Sequence, residues 1–140
     1  MELLPVDKAE TTTTARATVR LWRPARRVLV TRVAGHLDDQ CATVIEAIAR
    51  RVVAEDGRIM GFHDWEEMTD YDSRARARLT EMARDFGKGN EGAHFLVRSK
   101  LVGLGIQAAS VVMPGMRVHP TRVDFEAALR ECIQQRSRPA

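Results

Sequence analysis

The sequence has little of what specialised protein classes need. Its 140 residues include only two cysteines, Cys41 and Cys132. Two is too few for a secreted disulfide scaffold, and neither sits in a CxxC pair, so a reducing compartment is the simpler reading. No apolar run approaches the roughly 20 residues that cross a bilayer, which argues against membrane insertion. The opening stretch, MELLPVDKAETTTT, lacks the basic start and apolar core of a signal peptide. A cytoplasmic protein is therefore expected. Aromatics are scarce, with two Trp, one Tyr and four Phe, and the net charge of +3 is a mild excess. With no basic stripe interleaved with aromatics, nucleic-acid binding is not expected. The four histidines show no HxH, HExxH or HxxxH spacing, so neither a metal nor another cofactor is expected.

What is present suits one ordinary globular domain. The chain is 44% hydrophobic and 29% charged, and long enough to bury one core without disulfides or metal. Residues 1–15 lack periodicity and read as a flexible N-terminal tail, residues 135–140 as a C-terminal tail, and 16–134 as the domain. Thr18 to Trp22 alternates as a strand. Arg27 to Val33 is apolar on both faces and reads as a central strand paired to it in a hairpin. Gly35 ends that strand, and Asp38 is a good cap for a first helix carrying Cys41, Ile45, Ile48 and Val52. Gly57 stops it.

A third strand is expected over 58–65, then an acidic loop, Glu66 to Asp72. A second helix carries Ala75, Leu79, Met82 and Phe86 and stops at Gly87. A fourth strand spans 93–98. The softer helix after it, weakened by Gly103 and Gly105, carries Leu101, Leu104, Ala108 and Val111 on one side. Met116 to Val118 is a short fifth strand, and the last helix buries Phe125, Ala128, Leu129 and Cys132. The order ββαβαβαβα predicts an α/β fold, a mixed and mainly parallel five-stranded sheet with four helices. Val28, Val30, Ile45, Ile48, Leu79, Phe95 and Leu129 are the expected core.

Several features carry chemistry, each with a plainer alternative. Asp64, Trp65, Glu66, Glu67, Asp70, Tyr71 and Asp72 join negative charge to aromatic and apolar anchors, the make-up of a partner-binding segment. Ser73 follows at a helix start, where a phosphate would meet unpaired N–H groups and Arg74, Arg76 and Arg78. The four acids before it would repel that phosphate, and Asp72, Ser73 or Thr69 also reads as a simple helix cap. His63 with Asp64, and His36 with Asp38 and Asp39, lie at strand ends where α/β sheets bind ligands. They also read as solvated strand ends and a cap. Both cysteines fall on apolar stripes and read as core. Ser99-Lys100 reads as a cap and a solvated lysine, because adjacent helix residues do not face one another. The arginines of the first hairpin, Arg20, Arg23, Arg26, Arg27 and Arg32, read as a solvated face or a second docking surface.

The strand and helix order, the Gly35-His36-Leu37-Asp38 entry to the first helix and the Asp72-Ser73 pair opening the second resemble the STAS domain over about residues 17–133. This is the family of anti-sigma-factor antagonists, SpoIIAA-like and STAS/SEC14-type proteins. The family pattern follows Asp-Ser with a small residue and Gly, where this chain has Arg74 and Ala75. The resemblance implies a non-enzymatic protein–protein interaction module in bacterial signalling or scaffolding. It also implies Ser73 as a candidate phosphorylation site. The partner's identity is not legible, and homo-oligomerisation stays open. Two alternatives remain: a SEC14- or SpoIIAA-like module binding a small ligand or lipid in an apolar pocket lined by Leu101, Leu104 and Val111, and an enzyme using His63 and Asp64.

Overall fold

The computed structural model describes residues 9–111, 113 and 115–137. The tail assignments for residues 1–8 and 138–140 lie outside them. In chain order the elements are β1 (Glu10–Thr13), β2 (Ala17–Trp22), β3 (Val28–Leu37), α1 (Asp39–Asp56), β4 (Ile59–Tyr71), α2 (Ser73–Phe86), β5 (Asn90–Val97), α3 (Lys100–Ser110), β6 (Met116–Val118) and α4 (Arg122–Ser137). The strands form one sheet in the order β1-β2-β3-β4-β5-β6. The first two pairings are antiparallel, and the remaining three are parallel. The expected hairpin is β2–β3. The sheet has six strands rather than five because Glu10–Thr13, assigned to the tail from sequence, pairs with Leu21–Thr18 as an edge strand.

The sheet separates two apolar layers. On one face α1, α2 and α3 cover Val19, Leu21, Leu29, Val33, Trp65 and Phe95. On the other, α4 brings Phe125, Leu129 and Cys132 against Val28, Val30, Phe62 and Leu96. Apolar residues on both faces of β3 follow directly from this sandwiching. Asp38 caps α1 by accepting the Cys41 N–H, and Gly57 ends the helix in the left-handed region at φ 83°. Leu79 departs from the expected core: it is half-buried, and in α2 Ala75 alone is fully buried.

The largest departure is β4. It runs to Tyr71, so the expected acidic loop is strand. Against β3 it carries two extra residues: Arg32 and Ala34 face Asp64 and Glu67, then Gly35 and His36 face Met68 and Asp70. Each extra residue is a bulge, and a bulge flips the side-chain alternation beyond it. Trp65, Met68 and Tyr71, three apart, are thereby all turned to the face covered by α1, α2 and α3, where they join one apolar cluster.

Candidate functional site

The expected partner-binding segment is split by the strand that contains it. Asp64 and Trp65, adjacent in a strand, point to opposite faces, and both are interior, at 4% and 7% exposure. The Asp64 carboxylate takes a fork of two hydrogen bonds from the Arg122 guanidinium, both 3.0 Å, and another from Arg32 Nε at 3.1 Å. It anchors the start of α4, and Arg122 reaches on to Glu66 at 3.0 Å. Trp65 lies in the core, its indole N–H donating to the Thr31 hydroxyl at 3.0 Å. Neither side chain offers an exposed anchor. His63 faces the α2–α3 side with Trp65, so the His63–Asp64 pairing of the enzyme alternative is not assembled.

The remaining residues converge at the carboxyl end of β3 and β4. The His36 ring lies between two carboxylates, with Nδ1 2.6 Å from Asp70 and Nε2 2.6 Å from Asp72. The hydrogen bond to Asp72 leads in raising the His36 pKa above its ordinary value. The separate hydrogen bond between His36 and Asp70 lowers the pKa of Asp70. Arg16 adds an ion pair to Asp72 at 3.7 Å. Asp72 precedes α2, but its carboxylate accepts no N–H of the first turn because it is engaged sideways by His36 and Arg16. Ser73, Arg74 and Arg76 are exposed on that turn, and so is Glu67 on the strand before it. The local backbone makes this end close. Gly35, at φ +94°, leaves no room for a Cβ against the Arg16 carbonyl, and the His36 N–H donates to that carbonyl.

The other charged candidates have structural partners. Asp38 is a cap bound by the Thr14 hydroxyl at 2.8 Å, and Asp39 takes two bonds from Arg78. The hairpin arginines are partly neutralised, Arg23 by Glu55 and Asp56, Arg32 by Asp64. Cys41 is buried, and burial pushes its thiol pKa up. Ser99 caps α3 and donates its hydroxyl proton to the Thr69 carbonyl at 3.1 Å. Thr69 is the extra residue of the second bulge, so its carbonyl is available to bind the start of α3. Among the described residues no group of three or more His, Cys, Asp and Glu could hold a metal. No helix among them is long and apolar enough to cross a membrane.

The expected apolar stripe of α3 is reversed. Leu101, Leu104 and Val111 are 52%, 63% and 85% exposed, while Val102, Gly105 and Ile106 are buried. Leu101, Leu104 and Val111 therefore do not line the apolar cavity beneath the helix. They form an apolar outer face on a helix whose start is tied to the end of β4. Arg16 and Arg122, absent from the candidates, each hold an expected site residue. Their sequence separation, 58 residues for Arg122 and Asp64, gives no local signal.

No protein-family model matches the chain, and no curated protein matches it significantly. Solved structures do. An uncharacterised protein of the DUF3478 family with a SpoIIAA-like fold, from Shewanella loihica PV-4, aligns at 14% identity over 86% of this chain and 98% of its own, with a TM-score of 0.61. An anti-sigma factor antagonist from Mycobacterium paratuberculosis aligns at 21% identity over 91% and 99%, with a TM-score of 0.56. The Bacillus cell fate determinant SpoIIAA in its phosphorylated form aligns at 19% identity over 80% and 99%, with a TM-score of 0.60. The chain has the SpoIIAA-like, STAS-type fold.

Proposed function

We propose that this domain is a non-enzymatic docking module of bacterial signalling that binds a protein partner through the ridge where β4 meets α2, together with the outer face of α3. The observation that carries this reading is the adjacency of an exposed apolar helix face to a charged, exposed strand end. Leu101 and Leu104 supply the apolar centre and Glu67, Asp70, Asp72 and Ser73 the polar rim, which is the anatomy of a protein interface. The α3 leucines take the anchoring role that the sequence suggests for Trp65. Two of the proteins sharing the fold support the class, one described as an anti-sigma factor antagonist and one solved phosphorylated.

Ser73 is the proposed switch. A phosphate there meets the free N–H groups of the first turn of α2 and the exposed Arg74 and Arg76. The repulsion expected from neighbouring acids is reduced, since Asp70 and Asp72 are balanced by His36 and Arg16, and Glu66 by Arg122. Phosphorylation would place a dianion at the rim and change the charge a partner meets.

The test is binding kinetics against a partner isolated by cross-linking in native cells. Leu104→Asp should speed dissociation at least tenfold, because it places a charge in the apolar centre. Glu67→Lys should slow association, with the difference shrinking at high salt. Ser73→Asp should weaken binding where Ser73→Ala does not. Wild-type kinetics in all of these variants would remove the ridge as the interface.

A further inference from the structure

Between the sheet and helices α2 and α3 lies a cavity of about 130 Å³. It exists because α2 stands off the sheet: Leu79, Met82 and Phe86 are half-buried and form a wall rather than a filled core. Phe95 and Trp65 belong to the floor, and Ile106 and Ala109 of α3 form the opposite wall. Its lining is mainly apolar and it opens to the surface; its volume is close to that of an engineered cavity that takes up benzene, about 150 Å³.

One polar group on the floor has no hydrogen-bond partner among the described residues. Trp65 Nε1–H can only donate, and it donates to the Thr31 hydroxyl. The single Thr31 proton then goes to His63 Nδ1, 2.8 Å away, since the hydroxyl has no other acceptor among the described residues. Nδ1 is therefore an acceptor. Burial lowers the His63 pKa to about 3, so the ring is neutral and carries its one proton on Nε2. No described residue accepts from Nε2. Gly61 makes the placement possible, because a Cβ there would come 2.5 Å from Nε2. His63 is a cavity-lining residue with measurable exposed surface despite its deep position. Nε2–H is not among the sealed, unpaired side-chain atoms of the interior: it opens to the cavity, where a molecule carrying an acceptor can meet it.

We propose that this cavity is a binding site for a small, neutral, largely apolar molecule bearing one hydrogen-bond acceptor, held by His63 Nε2–H over the sheet. The Thr31–His63–Trp65 chain fixes which nitrogen donates, so the site selects an acceptor such as a ketone or ester oxygen. A carboxylate would have to give up its hydration on a floor of apolar side chains, and Arg76, the guanidinium of the lining, lies on the exposed first turn of α2. The cavity lies beneath α3, whose outer face belongs to the docking ridge, and shares Arg76 with that ridge, but its test does not depend on a protein partner.

The probes are acetophenone and α-methylstyrene, which share a shape but differ in replacing the carbonyl oxygen by a methylene group. Titration of the full chain followed by NMR reads both affinity and the His63 imidazole signals. Acetophenone should bind saturably, about tenfold more tightly than α-methylstyrene, the worth of one net hydrogen bond. The Nε2–H resonance should move on binding while Nδ1 stays unprotonated. Ala109→Phe, which fills the cavity, should abolish binding of both probes. His63→Phe should erase the preference and keep the hydrocarbon. The wild-type imidazole signals decide the matter if His63→Phe does not fold. No saturable binding of acetophenone, equal affinity for the two probes, an unmoved Nε2–H signal, or binding retained by Ala109→Phe would each overturn the proposal.

Discussion

Single side chains here divide into those that hold the fold and those that face outward, and position in sequence does not separate them. Trp65 and Asp64 fall within the acidic segment yet belong to the interior. Trp65→Ala should cost about 3–5 kcal/mol in urea melts, the usual range for removing a buried aromatic. A loss under 1 kcal/mol would contradict its placement. Asp64→Ala should cost about 3 kcal/mol, because Arg122 and Arg32 lose the buried carboxylate between them. Glu66→Ala should cost less than about 1 kcal/mol, since its partner Arg122 keeps Asp64. Leu79→Ala should cost less than the roughly 2–5 kcal/mol of a packed leucine, because its side chain already adjoins open space. Arg122 itself was invisible in the sequence: one arginine among many, its role set by a helix that returns to the sheet 58 residues after Asp64.

Whole elements show why parts of the fold were legible and parts were not. Asp38, Gly57 and the Cys41–Ile45–Ile48–Val52 spacing mark α1 because caps and stripes are local features, and the structure has them as expected. From sequence β4 ends at Trp65, because its inward residues, Trp65, Met68 and Tyr71, recur every third position. Two bulges produce that period, and no strand template contains it. β1 was missed for another reason. It pairs through backbone along a run of threonines and buries no apolar side chain, so no alternation exists to read. α3 is apolar on two sides, and helical spacing fits both stripes equally. Gly105 decides between them, because Tyr71 packs where its Cβ would be. Gly105→Ala should therefore destabilise the protein, as the Tyr71 ring must shift to admit the methyl group. Gly103→Ala, whose Cβ would meet only Val97 Cγ2 at 3.9 Å, should stabilise it by about 0.5–1 kcal/mol through helix propensity. Thermal melts that ranked the two variants the other way would contradict the orientation of α3.

At the scale of the molecule, the histidines set how stability follows pH. His63 is held neutral with a pKa of about 3 and His94 of about 4, both chiefly by burial, and His119 is lowered by the same cause. Below about pH 6.5 the unfolded chain takes up protons at these positions and the folded chain does not. Stability should therefore fall as the pH drops from about 6.5 toward 4, by about 1.4 kcal/mol per pH unit for His63 alone. His36 has the opposite sign. Its raised pKa gives stability that is fully present below the ordinary histidine value and is lost as the pH rises through the folded value. Denaturant melts between pH 5 and pH 9 should show a maximum near neutrality. A curve flat from pH 7 to pH 5 would contradict the burial of His63.

The outer face of α3, beside the end of β4, is the proposed meeting place with a protein partner. Leu104 and Val123 provide a matched comparison, both apolar and both exposed, at 63% and 76%, with Val123 on α4 across the sheet. A benzophenone amino acid placed at one or the other, in the full chain expressed in native cells and irradiated, reports directly what touches each face. The expected result is one dominant cross-linked protein from position 104 and little from position 123, with the 104 product diminished by Ser73→Asp. Equal cross-linking at both positions, or a product from position 123 alone, would contradict the assignment.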